Sequence, residues 1–464
     1  MAAMRSALHH PRFPWIFLPA VCLLSFLLWL PTWDYPIASD TSLYALLGES
    51  FWTTSRYAVL GEAHGKHMPF HAIVSFPLAR VFGYSLGMKL STLFAGLGVL
   101  IAAYFLLERT MGRRVAVWTT LAIALHHGFV VMTMLGSADS LLTLLFLLSL
   151  HAYLSAAHNR RFYFLVGIFT GLACLTRYNA APLFLFFPLY TLWKRPKDLF
   201  SLPFMGGMAM GAALFSIWFI RAYLVFGTLT NDYTEELSVK TAGLFRQMII
   251  NIRYYLNPIG NILPVLFLFS FYGIWKARYK QQFLIAAMVA IWSLFLIWPV
   301  LNLRYTFPGY VLLIAFGVFG IQSAAENLPR LRTAFLSMMV VAVVALDIGV
   351  LCLYSYGQCN ARLDRAFPMI PKNLGLTMEG FAMWDEARDW INTHAETKAT
   401  LRTVGKYNAR IWTQGIFRKD IAIIDEETDN CPVYTIAQDD SAYGLVVFQT
   451  ADAPVTYVMK EECK

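Results

Sequence analysis

Long apolar runs separated by short polar connections dominate the first three quarters of the chain. Most runs approach the roughly 20 residues that an α-helix needs to cross the hydrocarbon core of a bilayer. The pattern therefore predicts about eleven membrane-spanning helices. The runs cover residues 15–31, 86–107, 115–132, 140–157, 162–176, 179–193, 202–225, 258–275, 282–301, 307–323 and 333–354.

The long polar segment between the first two runs, residues 32–85, predicts helices of a different kind. Apolar positions Leu43, Leu46, Leu47 and Phe51 recur at three- and four-residue spacing. This spacing indicates a short amphipathic helix lying in the membrane interface. Asp40 and Tyr44 are four residues apart and share one face of it. A second short helix is expected from Phe70 to Phe82, leading through Gly83 into the next span.

The pattern changes after Tyr354, where charged residues appear throughout. A helix-like run at residues 383–394 is followed by strand-like runs at residues 421–425 and 443–449. We expect a transmembrane domain at residues 1–354 and a small α/β domain at residues 355–464. If the second domain lies outside the cell, two of its cysteines could form a disulfide. Those cysteines are Cys359, Cys431 and Cys463.

Composition excludes an ordinary soluble domain, because 58% of the residues are hydrophobic, only 14% are charged and the mean hydropathy is +0.54. The net charge of +9 could suggest nucleic acid as a partner. The basic residues, however, fall mainly in short clusters between apolar runs, which is the pattern that specifies membrane topology. We therefore expect no nucleic-acid partner.

The basic connections also predict the orientation of the chain. We number the connections from the one between the first two runs. With the N-terminus in the cytoplasm, every even-numbered connection is basic and should be cytoplasmic, and every odd-numbered one should lie outside, as the positive-inside rule requires. The basic connections are residues 108–114, 158–161, 194–198, 276–280 and 326–332. We thus expect an integral membrane protein whose C-terminal domain and functional site lie on the outer side of the membrane.

This topology places ionisable residues from separate loops on one outer face. Ionisable residues in a membrane protein carry a free-energy cost and are usually functional. A pocket built from several loops can form a binding site. These residues are Asp40, His64, Lys66, His67, His71, Asp139, Arg177, Asp232, Glu235, Glu236 and Arg304.

The two aspartates each have a structural and a catalytic interpretation. Asp40 and Asp139 both stand at expected helix starts, where a carboxylate caps the helix and is favoured by its dipole. A carboxylate kept ionised at the water boundary would also suit a general base that deprotonates an acceptor hydroxyl. The two roles are compatible, and the residues alone do not choose between them.

The basic residues suggest an anionic ligand. Arg177 and Arg304 stand at outer ends of spans, where arginine is unusual, and guanidinium groups can hold phosphate through paired hydrogen bonds. Lys66 and His67 could add to this grip, or the histidines could belong to a polar loop surface. A zinc site formed by His64, His67 and His71 is a further alternative, although their spacing in a loop is weak evidence. The sequence defines no cofactor and leaves room for a divalent cation.

Five stretches, in this order, resemble the membrane-embedded C-type glycosyltransferases. The closest branch contains the protein O-mannosyltransferases and the aminoarabinose and galacturonic-acid transferases of lipid A. The stretches are SDTSLYALLGESF (39–51), KHMPFHAIVSFPLARVFG (66–83), SADSLLTLLF (137–146), GLACLTRYNAAPLFL (171–185) and RYTFPGYVLL (304–313).

The resemblance implies the fold, the donor and the roles of particular residues. The donor would be a polyprenyl-phosphate sugar and the transfer would proceed with inversion, using Asp40 as the base. Asp139 would be a second polar contact near the acceptor. The remaining implied substrate contacts are Tyr44, Lys66, His67, His71, Arg177, Arg304 and Tyr305.

Two positions depart from the family pattern. The family's Asp-Glu pair is Asp40-Thr41 here, which removes a carboxylate and puts metal binding in doubt. The family's Lys-Pro-Pro corresponds to HMP or KHM, so either Lys66 or His67 could meet the phosphate.

We therefore expect a glycosyltransferase that moves a sugar from polyprenyl phosphate to a hydroxyl or phosphate of an envelope glycan, lipid A or a secreted protein. Its partners would be that donor, the glycan, lipid or protein acceptor, and membrane lipid. The alternatives are a transporter or flippase of a lipid-linked saccharide, and an inactive relative that binds the lipid. Charges clustered at one face, rather than at the bilayer midplane, argue against a transporter.

Overall fold

A computed structural model of the 464-residue chain shows a helical protein with a small C-terminal sheet. It describes residues 10–30, 39–59, 62–134, 136–229, 244–255, 264–296, 307–326, 390–397, 399–403, 422–424, 432–437, 445–449 and 457–461. The predicted span at residues 333–354 and the boundary between the two predicted domains lie outside these residues.

Helices follow the apolar pattern closely over the described part of the chain. A short antiparallel hairpin, β1 (Ala58–Val59) and β2 (Glu62–Ala63), separates the second and third helices. The helices are α1 (Phe13–Trp29), α2 (Ser39–Thr54), α3 (Pro69–Phe82), α4 (Tyr84–Met111), α5 (Arg113–Leu125), α6 (His127–Met134), α7 (Asp139–Ala156), α8 (Phe162–Thr176), α9 (Leu183–Lys194), α10 (Pro196–Leu199), α11 (Leu202–Phe226), α12 (Leu244–Tyr255), α13 (Pro264–Ala277), α14 (Gln282–Ser293) and α15 (Phe307–Glu326).

The predicted run at residues 115–132 is two helices rather than one. Helix α5 ends at Leu125, and α6 begins at His127 after His126 adopts an extended backbone with ψ of 126°. An extended residue interrupts the helical hydrogen-bond ladder. The predicted run extended across His126, His127 and Gly128 because hydrophobic residues continue on both sides of them.

Glycines allow two pairs of helices to approach until their backbones touch. A Cβ atom on Gly171 would lie 2.6 Å from the carbonyl oxygen of Gly211, which joins α8 to α11. Gly273 and Gly320 bring α13 and α15 together in the same way. Small residues of this kind are typical of helix contacts within membranes, where close van der Waals packing supplies much of the association.

The basic connections gather at one end of the helices, as the sequence pattern predicts. Arg109 at the end of α4 donates to Ser155 Oγ at 2.9 Å and contacts His158 Nδ1 at 3.1 Å. Arg160 pairs with Asp198 at 2.7 Å. The connections after α4, α7 and α9 therefore lie at the same end, although which side of the membrane this end faces stays a prediction.

Four helices within the described residues are long and apolar enough to cross a membrane: α4, α7, α11 and α15. Large apolar side chains also remain exposed along the helix surfaces, including Trp15, Leu202 and Leu224. In water such surfaces would be costly, whereas lipid tails cover them without penalty. The prediction of a polytopic helical membrane protein is confirmed.

Helix α12, in the predicted outer connection at residues 226–257, is an element that the sequence analysis missed. Its polar Asn251 is buried and donates from Nδ2 to the carbonyl oxygen of Phe295 at 2.7 Å. Phe245 and Ile249 remain exposed. A helix that anchors through an amide and exposes apolar side chains is suited to the membrane interface.

The C-terminal part contains a mixed five-stranded sheet, which agrees with the expected α/β character. Its strand order is β4-β3-β5-β7-β6, with β3 parallel to β4 and β5 and the other pairs antiparallel. The strands are β3 (Thr400–Thr403), β4 (Ala422–Ile424), β5 (Val433–Ala437), β6 (Leu445–Gln449) and β7 (Tyr457–Glu461).

Glu396 ties the preceding helical residues to this sheet. Lys460 Nζ lies 2.7 Å from its Oε1, and the Tyr434 hydroxyl donates to its Oε2 at 2.5 Å. These hydrogen bonds lower the pKa of Glu396 to about 2, so the contact persists over the ordinary pH range.

Replacing Gly207 with alanine should destabilise the protein, because the new Cβ would collide with the carbonyl oxygen of Tyr163 on α8. Overpacking of this kind costs about 1–3 kcal/mol. We expect Gly207→Ala to lower the thermal midpoint in detergent. The neighbouring Gly206→Ala is the matched control, since its Cβ would meet only the Phe164 ring edge at 3.0 Å, and an exposed ring can shift. Equal melting temperatures for the two variants would contradict this packing.

Candidate active site

The segment between α1 and α4 is packed firmly onto the membrane helices. Tyr44 of α2 and Met68, which precedes α3, are buried in a cluster that also contains Ala138, Leu175 and Trp218. These three residues come from α7, α8 and α11 or their immediate neighbours. The first predicted loop and the predicted outer ends of three distant helices therefore meet in one place.

A tight turn at Gly136 brings the two candidate aspartates into neighbouring elements. Gly136 has φ of +68°, a left-handed conformation that favours glycine. A Cβ at this position would lie 2.5 Å from Thr41 Cγ2, so the turn rests against the first turn of α2. Asp40 is next to Thr41, and Asp139 begins α7 three residues after Gly136. The predicted helix starts are thus confirmed for both aspartates.

Arg177 is held by Asp139 in a buried ion pair. Nε of Arg177 lies 2.9 Å from Oδ1 of Asp139, and Nη2 donates to Oδ2 at 3.2 Å. The hydroxyl of Ser137 donates to the same Oδ2 at 2.9 Å. The side chain of Asp139 has no exposed surface, and that of Arg177 is 14% exposed. Two-point contact with a guanidinium compensates the burial of the carboxylate and fixes its orientation.

His71 connects α3 to the Gly136 turn rather than pointing into open space. Its Nε2 lies 3.0 Å from the carbonyl oxygen of Gly136, and its Nδ1 lies 3.2 Å from Ser75 Oγ. Because a carbonyl only accepts, Nε2 must carry the proton, and a neutral ring then accepts from Ser75 at Nδ1. The ring is fully buried. This geometry suits a positioning role, and the predicted contact of His71 with substrate stays a prediction.

His64 and His67 stack on each other at the end of the hairpin, with ring centroids 5.1 Å apart. Nε2 of His64 accepts from the backbone N–H of His67 at 3.1 Å and lies 2.9 Å from His67 Nδ1. An acceptor nitrogen carries no proton, so His67 Nδ1–H is the donor between the rings. His67 also packs edge-on against Tyr44, at 5.3 Å. Tyr44 and His67 therefore lie together, next to Lys66.

Burial, the largest cause, and the charges of His67, Arg221 and Lys66 together lower the pKa of His64 to about 3. His64 is consequently neutral at pH 7 and serves as a hydrogen-bond acceptor for its neighbour. The loop that carries Lys66 and His67 is thus organised around an uncharged ring.

The zinc alternative for the three histidines finds no support in this arrangement. His71 Nε2 is engaged by the carbonyl oxygen of Gly136, whereas His64 and His67 stack on each other. Across the part of the chain that the structure describes, no group of three histidine, cysteine, aspartate or glutamate side chains is placed to hold a metal ion.

Several predicted residues lie outside the described residues. They include the candidate phosphate contacts Arg304 and Tyr305 and the three C-terminal cysteines. The same holds for the acidic residues of the predicted outer loop, Asp232, Glu235 and Glu236.

The structure also adds residues that the sequence analysis passed over. Lys89, one turn into α4, is fully buried. Arg221 on α11 donates to backbone carbonyls of the hairpin that precedes Lys66. Both lie inside apolar runs near their predicted outer ends, so the same signal that singled out Arg177, a basic residue on the outer side, could have found them.

Comparison with known proteins gives one family match and several structural matches. A model of the dolichyl-phosphate-mannose-protein mannosyltransferase family matches residues 69–220, which include α3, the Gly136 turn, Asp139 and Arg177. A search of curated protein sequences finds no match.

Two solved structures of ArnT from Cupriavidus metallidurans, one apo and one bound to undecaprenyl phosphate, superpose with a TM-score of 0.64 at 15% identity. In both, 97% of this chain and 98% of ArnT are covered. An oligosaccharyltransferase from Archaeoglobus fulgidus, solved with zinc and sulfate, gives a TM-score of 0.55 at 15% identity, covering 86% of this chain and 61% of that one.

At this level of identity the structural matches establish the fold. The predicted C-type glycosyltransferase fold is confirmed, and the family model and the structural neighbours together indicate a glycosyltransferase.

Breaking the Asp139–Arg177 pair from one side should be strongly destabilising. Arg177→Met leaves a buried carboxylate without its cation, which costs about 3–5 kcal/mol. Asp139→Asn in the Arg177→Met background removes the stranded charge and should recover much of this loss. Thermal unfolding of the two single variants and the double variant measures the coupling. A double variant no more stable than Arg177→Met would show that charge pairing is not the source of the stabilisation.

Acid should loosen the hairpin segment through His64. Its pKa is depressed in the folded state, so its contribution to stability is complete above the unfolded value of about 6.5 and declines as the pH falls towards 3. We expect the thermal midpoint of His64→Gln to fall less than that of the wild type between pH 7.5 and 5. His158→Gln, at the opposite end of the helices, is the control. Parallel curves for wild type and His64→Gln would contradict the assignment.

Proposed function

We propose that this glycosyltransferase transfers a sugar from a polyprenyl-phosphate donor to a hydroxyl on the outer face of a bacterial inner membrane, with inversion. The observation that carries the proposal is the meeting of α2, the hairpin loop and the Gly136 turn around the buried Asp139–Arg177 pair. This arrangement places an accessible carboxylate, a basic loop and a fixed guanidinium in neighbouring elements. The undecaprenyl phosphate bound to ArnT supports a donor of this class.

Asp40 is assigned as the base because it differs from Asp139 in exposure. Asp40 is partly exposed at the first turn of α2, so an acceptor can reach it. Asp139 is fully buried and already pairs with Arg177. A general base must come within hydrogen-bond distance of the proton that it removes. We therefore assign Asp139 the role of holding Arg177 and leave its contact with the acceptor as a prediction.

The donor phosphate is assigned to Lys66, His67 and Arg177. A guanidinium carries five N–H donors, so two-point pairing with Asp139 is compatible with a further contact to phosphate. Lys66 is an ammonium on the loop directly after the hairpin, and His67 is oriented by His64. Tyr44 packs against His67 and fixes the position of its ring. Arg304 and Tyr305 keep their predicted role at the phosphate.

In the proposed reaction, the Asp40 carboxylate takes the proton from the acceptor hydroxyl. The acceptor oxygen attacks the anomeric carbon of the sugar from the face opposite the phosphate. The bond between that carbon and the phosphate oxygen breaks, and its electron pair leaves with polyprenyl phosphate. Cations beside the leaving phosphate stabilise the charge that develops there. A single displacement inverts the anomeric configuration.

The acceptor is an envelope glycan, lipid A or a secreted protein. All three present hydroxyls at the outer membrane–water boundary, where we place Asp40. Mass spectrometry of the lipid that co-purifies with the protein identifies its head group and therefore the sugar. The identified polyprenyl-phosphate sugar then serves as the donor in transfer assays.

Asp40→Asn should abolish most of the transfer while leaving the donor bound. A positioned general base contributes about 10²–10⁴-fold to the rate. We expect a fall in kcat within that range, with the affinity for undecaprenyl phosphate and the thermal midpoint preserved. Glu49→Gln, the same chemical change later on α2, is the matched control and should keep its activity.

Two results would count against the proposal in different ways. Undiminished transfer by Asp40→Asn would remove Asp40 as the base but leave the reaction class intact. A wild-type protein that neither binds undecaprenyl phosphate nor transfers any sugar linked to it would contradict the reaction class itself.

A further inference from the structure

Arg221, on α11, holds the base of the β1–β2 hairpin from a helix far along the chain. Its Nη1 donates to the carbonyl oxygen of His64 at 2.9 Å, and its Nη2 donates to that of Tyr57 at 2.8 Å. The backbone N–H of His64 also donates to Tyr57 O, at 3.1 Å. One planar guanidinium therefore spans both ends of the hairpin, a geometry that only arginine offers.

Tyr57 closes the same segment at its far end. Its hydroxyl donates to the carbonyl oxygen of Met68 at 3.2 Å, and Met68 is the residue immediately before α3. The Arg221 guanidinium lies 5.4 Å from the centroid of the buried Tyr57 ring. The residues between Tyr57 and Met68, which include Lys66 and His67, thus form a loop closed by side-chain hydrogen bonds at both ends.

Trp218, one turn before Arg221 on α11, reaches a second part of the site. Its indole N–H donates to the Tyr178 hydroxyl at 2.7 Å, and Tyr178 directly follows Arg177. Trp218 also packs edge-on against Tyr57 at 5.5 Å and lies 4.9 Å from the Arg221 guanidinium. A single turn of α11 therefore contacts the loop of Lys66 and His67 on one side and the Arg177 turn on the other.

Arg221 contributes charge as well as geometry. Among the described residues it contacts two carbonyl oxygens and aromatic rings, and no carboxylate pairs with it. Within the described residues its positive charge therefore has no acidic partner, and it adds to that of Lys66. A cation on an apolar helix is expensive to keep in a membrane, which is why such residues are usually functional. Simple closure of a hairpin needs no charged side chain.

We propose that Trp218 and Arg221 are positioning residues that set the distance between the Lys66–His67 loop and Arg177, and so shape the phosphate site of the donor. The inference rests on the proposed function, because it assigns a phosphate to that site. It predicts that binding depends on the two-point hydrogen bond of Arg221, and that the dependence is specific to the phosphate head group.

The test compares Arg221→Lys with wild type in binding undecaprenyl phosphate and undecaprenol, which have the same tail but differ in the phosphate. Lysine keeps the charge and loses the fork that grips two carbonyls at once. We expect about a tenfold rise in the Kd for undecaprenyl phosphate, equivalent to about 1.4 kcal/mol, and less than a twofold change for undecaprenol. Hydrogen exchange should also accelerate for the amides of residues 57–68. Arg80→Lys, the same change on the exposed end of α3, is the matched control.

A second variant keeps the inference testable if Arg221→Lys does not fold. Trp218→Phe retains an aromatic ring at this position and loses the indole N–H that reaches Tyr178. We expect a rise of about threefold in the Kd for undecaprenyl phosphate, with undecaprenol unaffected. An equal loss of affinity for both lipids would give Trp218 and Arg221 only a general structural role and would overturn the inference. So would unchanged phosphate binding together with unchanged exchange at residues 57–68. If the wild-type protein binds no undecaprenyl phosphate, that result instead contradicts the proposed function, and the inference that rests on it.

Discussion

The buried ion pair between Asp139 and Arg177 is the constraint on which the candidate site depends. Two opposite charges removed from water must stay in contact, because separating them strands each in a medium that solvates it poorly. Asp139 begins α7 and Arg177 follows α8, so their contact at 2.9 Å holds two helix ends together. The Gly136 turn beside Asp139 then receives both His71 from α3 and Thr41 from α2.

Around this pair the candidate site combines fully buried groups with groups that are partly exposed. Asp139 and His71 are fully buried and engaged by hydrogen bonds. Asp40, Lys66 and His67 are partly exposed on the elements that these groups position. Such a division suits catalysis, in which reacting groups must be pre-positioned by neighbours that do not themselves react.

Much of this organisation follows from the local pattern of the chain. Seven of the eleven predicted apolar runs are single helices whose ends differ from the prediction by at most four residues, and the described parts of two more, at residues 258–275 and 282–301, are helical. The short helices of the first loop are present as α2 and α3. Apolar length and periodicity are strong signals because lipid forces every backbone group in a span into helical hydrogen bonds. The pattern failed at His126, where the backbone breaks at two histidines and a glycine inside a run that is otherwise apolar. It also failed at α12, whose apolar residues are mixed with polar ones in a segment interpreted as a loop.

Contacts between residues that are distant in the sequence could not be predicted from local patterns. The sequence identified Asp139 and Arg177 as separate candidates on one outer face, and the structure pairs them at two points. It also placed His64, His67 and His71 together as one group, while the structure turns His71 to Gly136 and leaves the other two stacked. Arg221 lay unnoticed in an apolar run. The sequence by itself determined the helical membrane class, the separation of the basic connections from the candidate site, and the residues that could carry chemistry, because these depend on composition and spacing along one segment. Only the tertiary structure decided which charge pairs with which and which ring is buried, because those outcomes depend on distances between segments that no local pattern records.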